Sequence, residues 1–273
     1  MNTLKTVCPE LAKYMDVFTE VARYLWEKGW AESNGGNLSV DVTDYIKNNA
    51  LCEETGERVE LGRAYPELAN RCFLVTGSGH RFRDFARDVS KNACLLTLND
   101  TADAYTIIWG GKSDQVFKPT SELPSHLRLH QMFQEKGDGR RVVLHTHPTE
   151  LVALSHLPAY KDEKILNNAL WGMIPEVKVL IPKGVGFAPY ALPGSQDLAD
   201  GTFKALKTGQ TAVLWEMHGC LATGKDVMEA FDIIDILNKS AQMLLMCLQA
   251  GHTPKGMSTA QLSELVEAFN LED

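Results

Sequence analysis

The stretch VVLHTHP, Val142 to Pro148, places two histidines one residue apart at the end of an apolar run. In a β-strand, residues i and i+2 face the same side of the sheet, so His145 and His147 project together while Thr146 points away. Their Cβ atoms then lie roughly 6.6 Å apart, and imidazoles at that separation can reach one metal ion. By itself the pair fits two half-exposed structural histidines equally well.

A second apolar stretch, AVLWEMHG at residues 212–219, ends in the same way. His218 closes this predicted strand, and Gly219 supplies the residue type that a turn requires. Three imidazoles from two neighbouring strand ends leave a coordination position open, which is the arrangement of a catalytic zinc site. Imidazole serves zinc most often, although ligand type alone leaves Co, Mn and Fe as alternatives.

The segment KPTSELPSHL, residues 118–127, places Glu122 two residues before Pro124, where a helix is predicted to begin. One interpretation is an ordinary acidic residue that interacts favourably with the helix dipole. The other is a carboxylate near the metal, which moves a proton beside a substrate carbonyl while the metal stabilises the enediolate as a Lewis acid.

Three further segments combine glycines with short polar side chains, as phosphate-binding loops do. They are Asn34-Gly35-Gly36-Asn37, Thr76-Gly77-Ser78-Gly79 and Thr120-Ser121. Each segment alone is as typical of a turn. Neither G-x-x-x-x-G-K-[ST] nor G-x-G-x-x-G is present, which argues against a nucleotide site. Together the segments predict a small-phosphate site built without arginine.

Composition limits the classes of partner. The chain has 273 residues, of which 44% are hydrophobic and 23% charged, and a formal net charge of −8, so no global basic field attracts nucleic acid or an anionic membrane. No apolar run approaches the roughly 18 residues of a membrane-spanning helix, and the N-terminus lacks a signal-peptide block. The six cysteines are irregularly spaced, which argues against a disulfide framework and predicts a cytoplasmic protein.

Hydrophobic periodicity predicts a single mixed α/β domain over residues 1–273, built on one sheet. Residues 44–70 are predicted to be an insertion or irregular excursion, and residues 182–194, PKGVGFAPYALPG, a loop. The predicted strands are Leu38–Val42, Cys72–Val75, Tyr105–Trp109, Val142–His147, Val177–Ile181 and Thr211–Met217. The predicted helices cover Leu11–Leu25, a segment from Pro124, a segment around Leu151–Leu154, Gln196–Lys207, Asp226–Ala250 and a short stretch near the end of the chain.

Taken in order, the motifs N-G-G-N-L-S, V-T-G-S-G, P-T-S-E-L-P-S-H, H-T-H and W-E-M-H-G resemble the class II sugar-phosphate aldolase family, which is related to adducin. The resemblance runs from about Tyr24 to Ala250. Within the family, four features of the sequence resemble those of the branch that cleaves L-rhamnulose 1-phosphate more than those of fuculose-phosphate aldolases or ribulose-phosphate epimerases. These are E-S-N-G-G-N at 32–37, the excursion at 44–70, S-E-L-P-S-H at 121–126, and Trp171 five residues before Glu176.

The resemblance implies a role for each site residue. His145, His147 and His218 would bind one zinc ion per subunit, and Glu122 would lie at the metal and act as acid and base. Glu176 would be a second proton carrier, supplied across a subunit boundary in a homotetramer with active sites at the subunit interfaces. The phosphate of the substrate would be held by Asn34, Gly36, Asn37, Gly77, Ser78, Gly79, Thr120 and Ser121.

The same resemblance implies a central, mainly antiparallel sheet flanked by helices, and zinc-dependent cleavage of L-rhamnulose 1-phosphate to dihydroxyacetone phosphate and L-lactaldehyde in L-rhamnose catabolism. Two alternatives stay open. One is another enzyme of the family, such as a fuculose-phosphate aldolase or a pentulose-phosphate epimerase. The other is a metal-free interaction module like the adducin head. The presence of the three histidines together with Glu122 argues against this alternative.

Overall fold

One nine-stranded β-sheet forms the centre of the part of the chain that the structure describes. The computed structural model describes residues 9–46, 56–85, 87–111, 116–206 and 208–271. The strands, in chain order, are β1 (Asn37–Asp41), β2 (Arg58–Glu60), β3 (Cys72–Thr76), β4 (Ala93–Leu98), β5 (Ala104–Gly110), β6 (Val142–Thr146), β7 (Val185–Ala188), β8 (Ala212–Trp215) and β9 (Gly219–Gly224).

The strands lie in the order β2-β5-β4-β3-β1-β6-β9-β8-β7. Each neighbouring pair is antiparallel except β7 and β8, which run parallel at one edge. The predicted α/β fold on one mainly antiparallel sheet is therefore confirmed. Strand β6 lies near the middle of the sheet, between β1 and β9. The start of β1, the end of β6 and the start of β9 therefore lie side by side at one end of the sheet.

Helices flank the sheet, and none of those in the described residues is long and apolar enough to cross a membrane. The α-helices are α1 (Pro9–Glu27), α2 (Thr43–Ile46), α3 (Phe82–Phe85), α4 (Val89–Asn92), α5 (Leu123–Lys136), α6 (Thr149–Ser155), α7 (Glu163–Met173), α8 (Pro175–Leu180), α9 (Gln196–Ala205), α10 (Val227–Gln249) and α11 (Thr259–Phe269). Short 3-10 helices span Pro66–Leu68 and Pro158–Lys161.

The alternation of side chains along β6 divides the core into two layers. Val142 and Leu144 belong to the large cluster formed with α1 and α10. Val143 faces the other side, where it packs with Leu129 and the rest of the apolar face of α5. His145, two residues further on, lies on this α5 side of the sheet, so the strand that forms the core also aims an imidazole at the start of α5.

Two predictions of local structure are wrong. The segment Val177–Ile181 is not a strand, because Pro175 occupies the first turn of the short helix α8, where its missing N–H costs nothing. Val177 and Ile181, four residues apart, bury one face of that helix. The segment 182–194 is not wholly a loop, because it contains β7 at the edge of the sheet.

The sequence prediction also omitted two strands and part of the excursion. Strand β4 is a continuous buried apolar run, and β9 follows His218 after the turn. Within 44–70, the structure describes the end of α2, the strand β2 and a 3-10 helix, while residues 47–55 lie outside the described residues. The interpretation of 44–70 as an insertion stays a prediction.

Candidate metal centre and active site

The three histidines singled out in the sequence meet at one end of the sheet. His145 lies on β6, His147 follows the end of that strand, and His218 lies in the turn between β8 and β9. One potential ligand atom from each lies within 4.8 Å of the others, and the ring centroids are 4.8–5.4 Å apart. The expected adjacency differs in one respect: β9, not β8, pairs with β6, so the β8–β9 turn delivers His218.

Two glycines make this close approach possible. A Cβ on Gly219 would lie 2.5 Å from the Cε1 atom of His145 and 2.5 Å from the Thr146 carbonyl oxygen. A Cβ on Gly35 would lie 2.9 Å from the Cε1 atom of His147. Contacts this short would push the rings away, so the glycines at both positions allow backbone to pack directly against the imidazoles.

Hydrogen bonds orient two of the rings. The Nδ1 atom of His147 is 2.6 Å from a carboxylate oxygen of Glu32, and Nδ1 of His145 is 3.1 Å from the Cys220 carbonyl oxygen. Metal-binding histidines characteristically use one ring nitrogen in this way, which leaves the other for the ion. The Nε2 atom of His145 is buried and has no hydrogen-bond partner among the described residues. This unpartnered nitrogen and the all-imidazole donor set fit a divalent metal such as zinc.

The protonation states of His145 and His218 agree with metal binding. Burial, followed by the neighbouring His147, lowers the pKa of His145 well below its usual value. The same two causes lower the pKa of His218 to about 4. Both rings are therefore neutral near neutral pH, which is the form that binds a metal ion.

Glu122 faces the histidines from the start of α5. It is the N-terminal capping residue of α5, yet its side chain makes no capping hydrogen bond, so it does not serve the helix in that way. One carboxylate oxygen is 3.7 Å from Nε2 of His145 and accepts a 2.6 Å hydrogen bond from the Asn37 amide; the other is 3.4 Å from Nε2 of His218. Burial raises the pKa of Glu122, and the Asn37 hydrogen bond opposes that rise.

A cavity of about 170 Å³ lies in front of Glu122 and the histidines. All three of the predicted phosphate-binding segments line it, and none of its described lining residues is a lysine or an arginine. The lining residues are Asn34, Gly35, Gly36, Asn37, Gly77, Ser78, Gly79, Thr120, Ser121, Glu122, His145, His147 and His218. The structure therefore brings together, in one polar cavity, every predicted site residue except Glu176.

Residues 17–245 match the family described as Class II Aldolase and Adducin N-terminal domain. The chain belongs to this family. It is 41% identical over 264 residues to the rhamnulose-1-phosphate aldolase of Bacteroides thetaiotaomicron, covering 96% of each chain. It is 34% identical over 250 residues to that of Mannheimia succiniciproducens, covering 90% of each. A sugar-phosphate aldolase structure from Thermotoga maritima superposes with a TM-score of 0.78 at 34% identity, covering 90% of this chain and 99% of that one.

Membership of the class II aldolase and adducin family confirms the resemblance drawn from the motifs. Glu176 remains apart from the site in this family member. It is exposed in the first turn of α8 and does not line the cavity. The strand predicted directly after it, Val177–Ile181, is a helix, and a single chain does not bring Glu176 to the histidines.

Two further residues of the class II aldolase-like site received no role from the sequence. Glu32 contacts the His147 ring. Its position two residues before the Asn34–Asn37 loop was the feature of the sequence that could have indicated this role. His126 is fully buried and contacts the Asn37 amide. The signal for His126 was its spacing of four residues from Glu122 on a predicted helix, which places both on one helix face.

Proposed function

We propose that this protein is a zinc-dependent aldolase that cleaves L-rhamnulose 1-phosphate to dihydroxyacetone phosphate and L-lactaldehyde in the degradation of L-rhamnose. Its assignment to the lyases follows from the family and from relatives such as the rhamnulose-1-phosphate aldolase that is 41% identical. The observation that carries the proposal is the convergence of three imidazoles and one buried carboxylate in a polar cavity.

His145, His147 and His218 would hold the zinc ion, each through the ring nitrogen that faces the cavity. When bound there, zinc supplies Lewis-acid stabilisation of the negative charge that develops beside the breaking carbon–carbon bond. The lowered pKa values of His145 and His218 leave their ring nitrogens free to bind the ion near neutral pH. The Glu32 carboxylate, 2.6 Å from His147, fixes which nitrogen of that ring faces the cavity.

Glu122 would return a proton to the carbon that the cleavage leaves electron-rich, and would remove it in the synthetic direction. Burial raises its pKa, and a carboxyl group with a raised pKa has its protonated form more accessible near neutral pH, so it can hold the proton in one direction of the reaction and take it up in the other. The carboxylate oxygens face the same cavity as the histidines. Glu122 would therefore deliver its proton beside the carbon whose negative charge the metal stabilises. The Asn37 hydrogen bond holds one oxygen in a defined position.

Glu176 would take the proton released by the hydroxyl that becomes the aldehyde, supplied by a neighbouring copy in a homotetramer. Glu176 is exposed on α8, and Leu180 on the same helix is 58% exposed, so this helix offers both a carboxylate and apolar surface to a second chain. A copy that places α8 over the cavity would complete the site. Glu176 would then act only in the assembled protein.

The phosphate of the substrate would lie among the glycine-rich segments. Gly36 and Gly79 have φ angles of +79° and +76°, a backbone conformation that glycine adopts without strain. The side chains of Asn34, Ser78 and Ser121 are exposed toward the cavity and offer hydrogen-bond donors. A single anionic group can be bound by such neutral donors without arginine, in keeping with the net charge of −8.

The test of the proposed function is an assay on L-rhamnulose 1-phosphate, L-fuculose 1-phosphate and L-ribulose 5-phosphate, each with and without a chelator. We expect dihydroxyacetone phosphate and aldehyde from L-rhamnulose 1-phosphate at the highest kcat/KM, loss of activity with the chelator, and recovery on adding zinc. A response confined to the epimerase assay, or cleavage that a chelator leaves unchanged after dialysis, would contradict it.

Replacing Ser78 and Ser121 together by alanine is expected to raise KM for the ketose phosphate about 100-fold or more, since each lost hydrogen bond to a charged group is worth about 1.5–3 kcal/mol and about 1.4 kcal/mol is a factor of ten. The change in kcat should be small, because neither hydroxyl contacts the reacting carbons. Steady-state kinetics measure both. Ser263→Ala, at an exposed serine on α11, is the matched control. An unchanged KM would remove the two serines from the phosphate site.

A further inference from the structure

We propose that three buried side chains behind the cavity, His126, Ser39 and His130, are positioning residues for the cleavage reaction. They orient the amide of Asn37, and that amide holds the Glu122 carboxylate. The inference deepens the proposed function and rests on Glu122 being the proton carrier.

An unbroken series of short hydrogen bonds joins these side chains. The Glu122 carboxylate lies 2.6 Å from Nδ2 of Asn37, whose Oδ1 lies 2.5 Å from Nε2 of His126. On the far side of the His126 ring, Nδ1 lies 2.7 Å from Oγ of Ser39, and Ser39 Oγ lies 2.7 Å from Nε2 of His130. Each of the five residues is at most 8% exposed, so water does not compete for these contacts.

The fold brings the five residues together through two simple periodicities. Asn37 and Ser39 are two residues apart on β1, so they face the same side of the sheet. Glu122, His126 and His130 are four residues apart along α5 and its cap, so they form a single row on the helix. The side chains in this row on α5 contact those of Asn37 and Ser39 on β1 through hydrogen bonds, so this part of the contact between β1 and α5 is polar.

The direction of the hydrogen bonds follows from the charge at one end. Burial lowers the pKa of His126 to about 3 and that of His130 to about 4, so both rings are neutral and each offers one donor and one acceptor. Because the carboxylate of Glu122 only accepts, Asn37 donates to it and turns its Oδ1 toward Nε2–H of His126.

The rest of the series then has one consistent arrangement. With Nε2 of His126 donating, its Nδ1 accepts from the Ser39 hydroxyl. The Ser39 oxygen in turn accepts from Nε2–H of His130. Turning the Asn37 amide over would reverse every bond and set an amide oxygen against the Glu122 carboxylate. The series therefore stabilises the amide orientation that holds Glu122, without touching substrate itself.

Ser39→Ala tests the proposal. It removes one hydroxyl and leaves Nδ1 of His126 and Nε2 of His130 without their shared partner. We expect kcat for cleavage of L-rhamnulose 1-phosphate to fall about 10- to 100-fold, the loss typical of a misplaced catalytic group, while KM and bound metal stay unchanged. Ser39→Thr, which keeps a hydroxyl, should recover most of the loss.

Two controls separate positioning from general stability. Ser240→Ala removes an equally buried hydroxyl, which donates a 2.6 Å hydrogen bond to the Leu170 carbonyl far from the cavity, and should lower Tm while leaving kcat unchanged. His130→Phe cuts the series at its far end and suits the ring's neighbours, Phe73 and Phe133. It should fold and should lower kcat severalfold, which keeps the test available if Ser39→Ala does not fold.

The decisive readout is Ser39→Ala combined with Glu122→Gln. If the series acts through Glu122, the serine substitution should lower the residual kcat of the glutamine variant by less than about twofold. Full kcat in Ser39→Ala and His130→Phe, an equal loss of kcat in Ser240→Ala, or an undiminished further loss on the Glu122→Gln background would overturn the inference. Failure of the proposed function would look different, because the unaltered protein would then not cleave L-rhamnulose 1-phosphate, or Glu122→Gln alone would remain active.

Discussion

Replacing Glu122 by glutamine is expected to lower kcat about 100- to 10,000-fold, the range that general acid–base catalysis contributes, while one metal ion stays bound per chain. Glutamine preserves the shape of the side chain and can still accept the hydrogen bond from Asn37. It cannot carry the proton that the reaction requires. The three imidazoles are untouched, so the site keeps its donors for the metal.

Kinetics on L-rhamnulose 1-phosphate and elemental analysis of the same preparation measure the two outcomes together. Glu150→Gln is a suitable control, because that carboxylate contacts the side chains of Asn238 and Gln242 on α10 and does not line the cavity. Full activity in the Glu122 variant would contradict its role as acid and base. Loss of the metal with loss of activity would instead make Glu122 a necessary ligand.

His147→Ala is expected to lower bound metal and kcat in parallel. Two imidazoles remain, and removing a ligand should weaken metal affinity by more than the roughly 10- to 100-fold that loss of a supporting partner costs. His147 suits this test better than His145, since its side chain is 22% exposed whereas that of His145 is 1% exposed. Alanine at His147 therefore removes a donor without opening a cavity in the core.

Zinc titration against a competing chelator gives the affinity, and a thermal melt of the metal-free protein gives the control for folding. The metal-free variant should melt within a few degrees of the metal-free parent, whereas added zinc should raise Tm of the parent far more than Tm of the variant. Full metal occupancy with full activity in His147→Ala would remove this histidine from the metal centre.

Sequence alone predicted most of the residues that converge in the candidate site, because strand geometry determines where the histidines lie. The apolar run before His145 is buried in the sheet. Because side chains alternate along a strand, His145 and His147 project to the same side at the end of β6 and lie close together. The placement of His218 depended on more than alternation. Met217 adopts a φ of +56°, and the tight turn between β8 and β9 brings the histidine across to β6, a path that periodicity does not encode.

The misplacement of Glu176 has a physical cause in local sequence. A short apolar run after Pro175 is compatible with a strand as well as with a helix, and only the packing of the folded chain decides between them. The helix forms because Val177 and Ile181 bury one face against the core, which leaves Glu176 on the outside.

The supporting contacts of Glu122 were beyond sequence reasoning for a different reason. A serine within an apolar strand, such as Ser39, has no distinctive pattern. Its partners His126 and His130 lie 87 and 91 residues further along the chain. Only the register of β1 against α5 brings them together, so the polar series behind the cavity becomes visible only in the folded chain.

The most direct test of the proposed metal centre is X-ray absorption at the zinc edge of the protein after zinc has been added. The convergence of His145, His147 and His218 predicts three imidazole nitrogens at about 2.0–2.1 Å, completed by oxygen. A spectrum with fewer than three imidazoles, or with a sulfur ligand at about 2.3 Å, would contradict the metal centre on which the proposed cleavage depends.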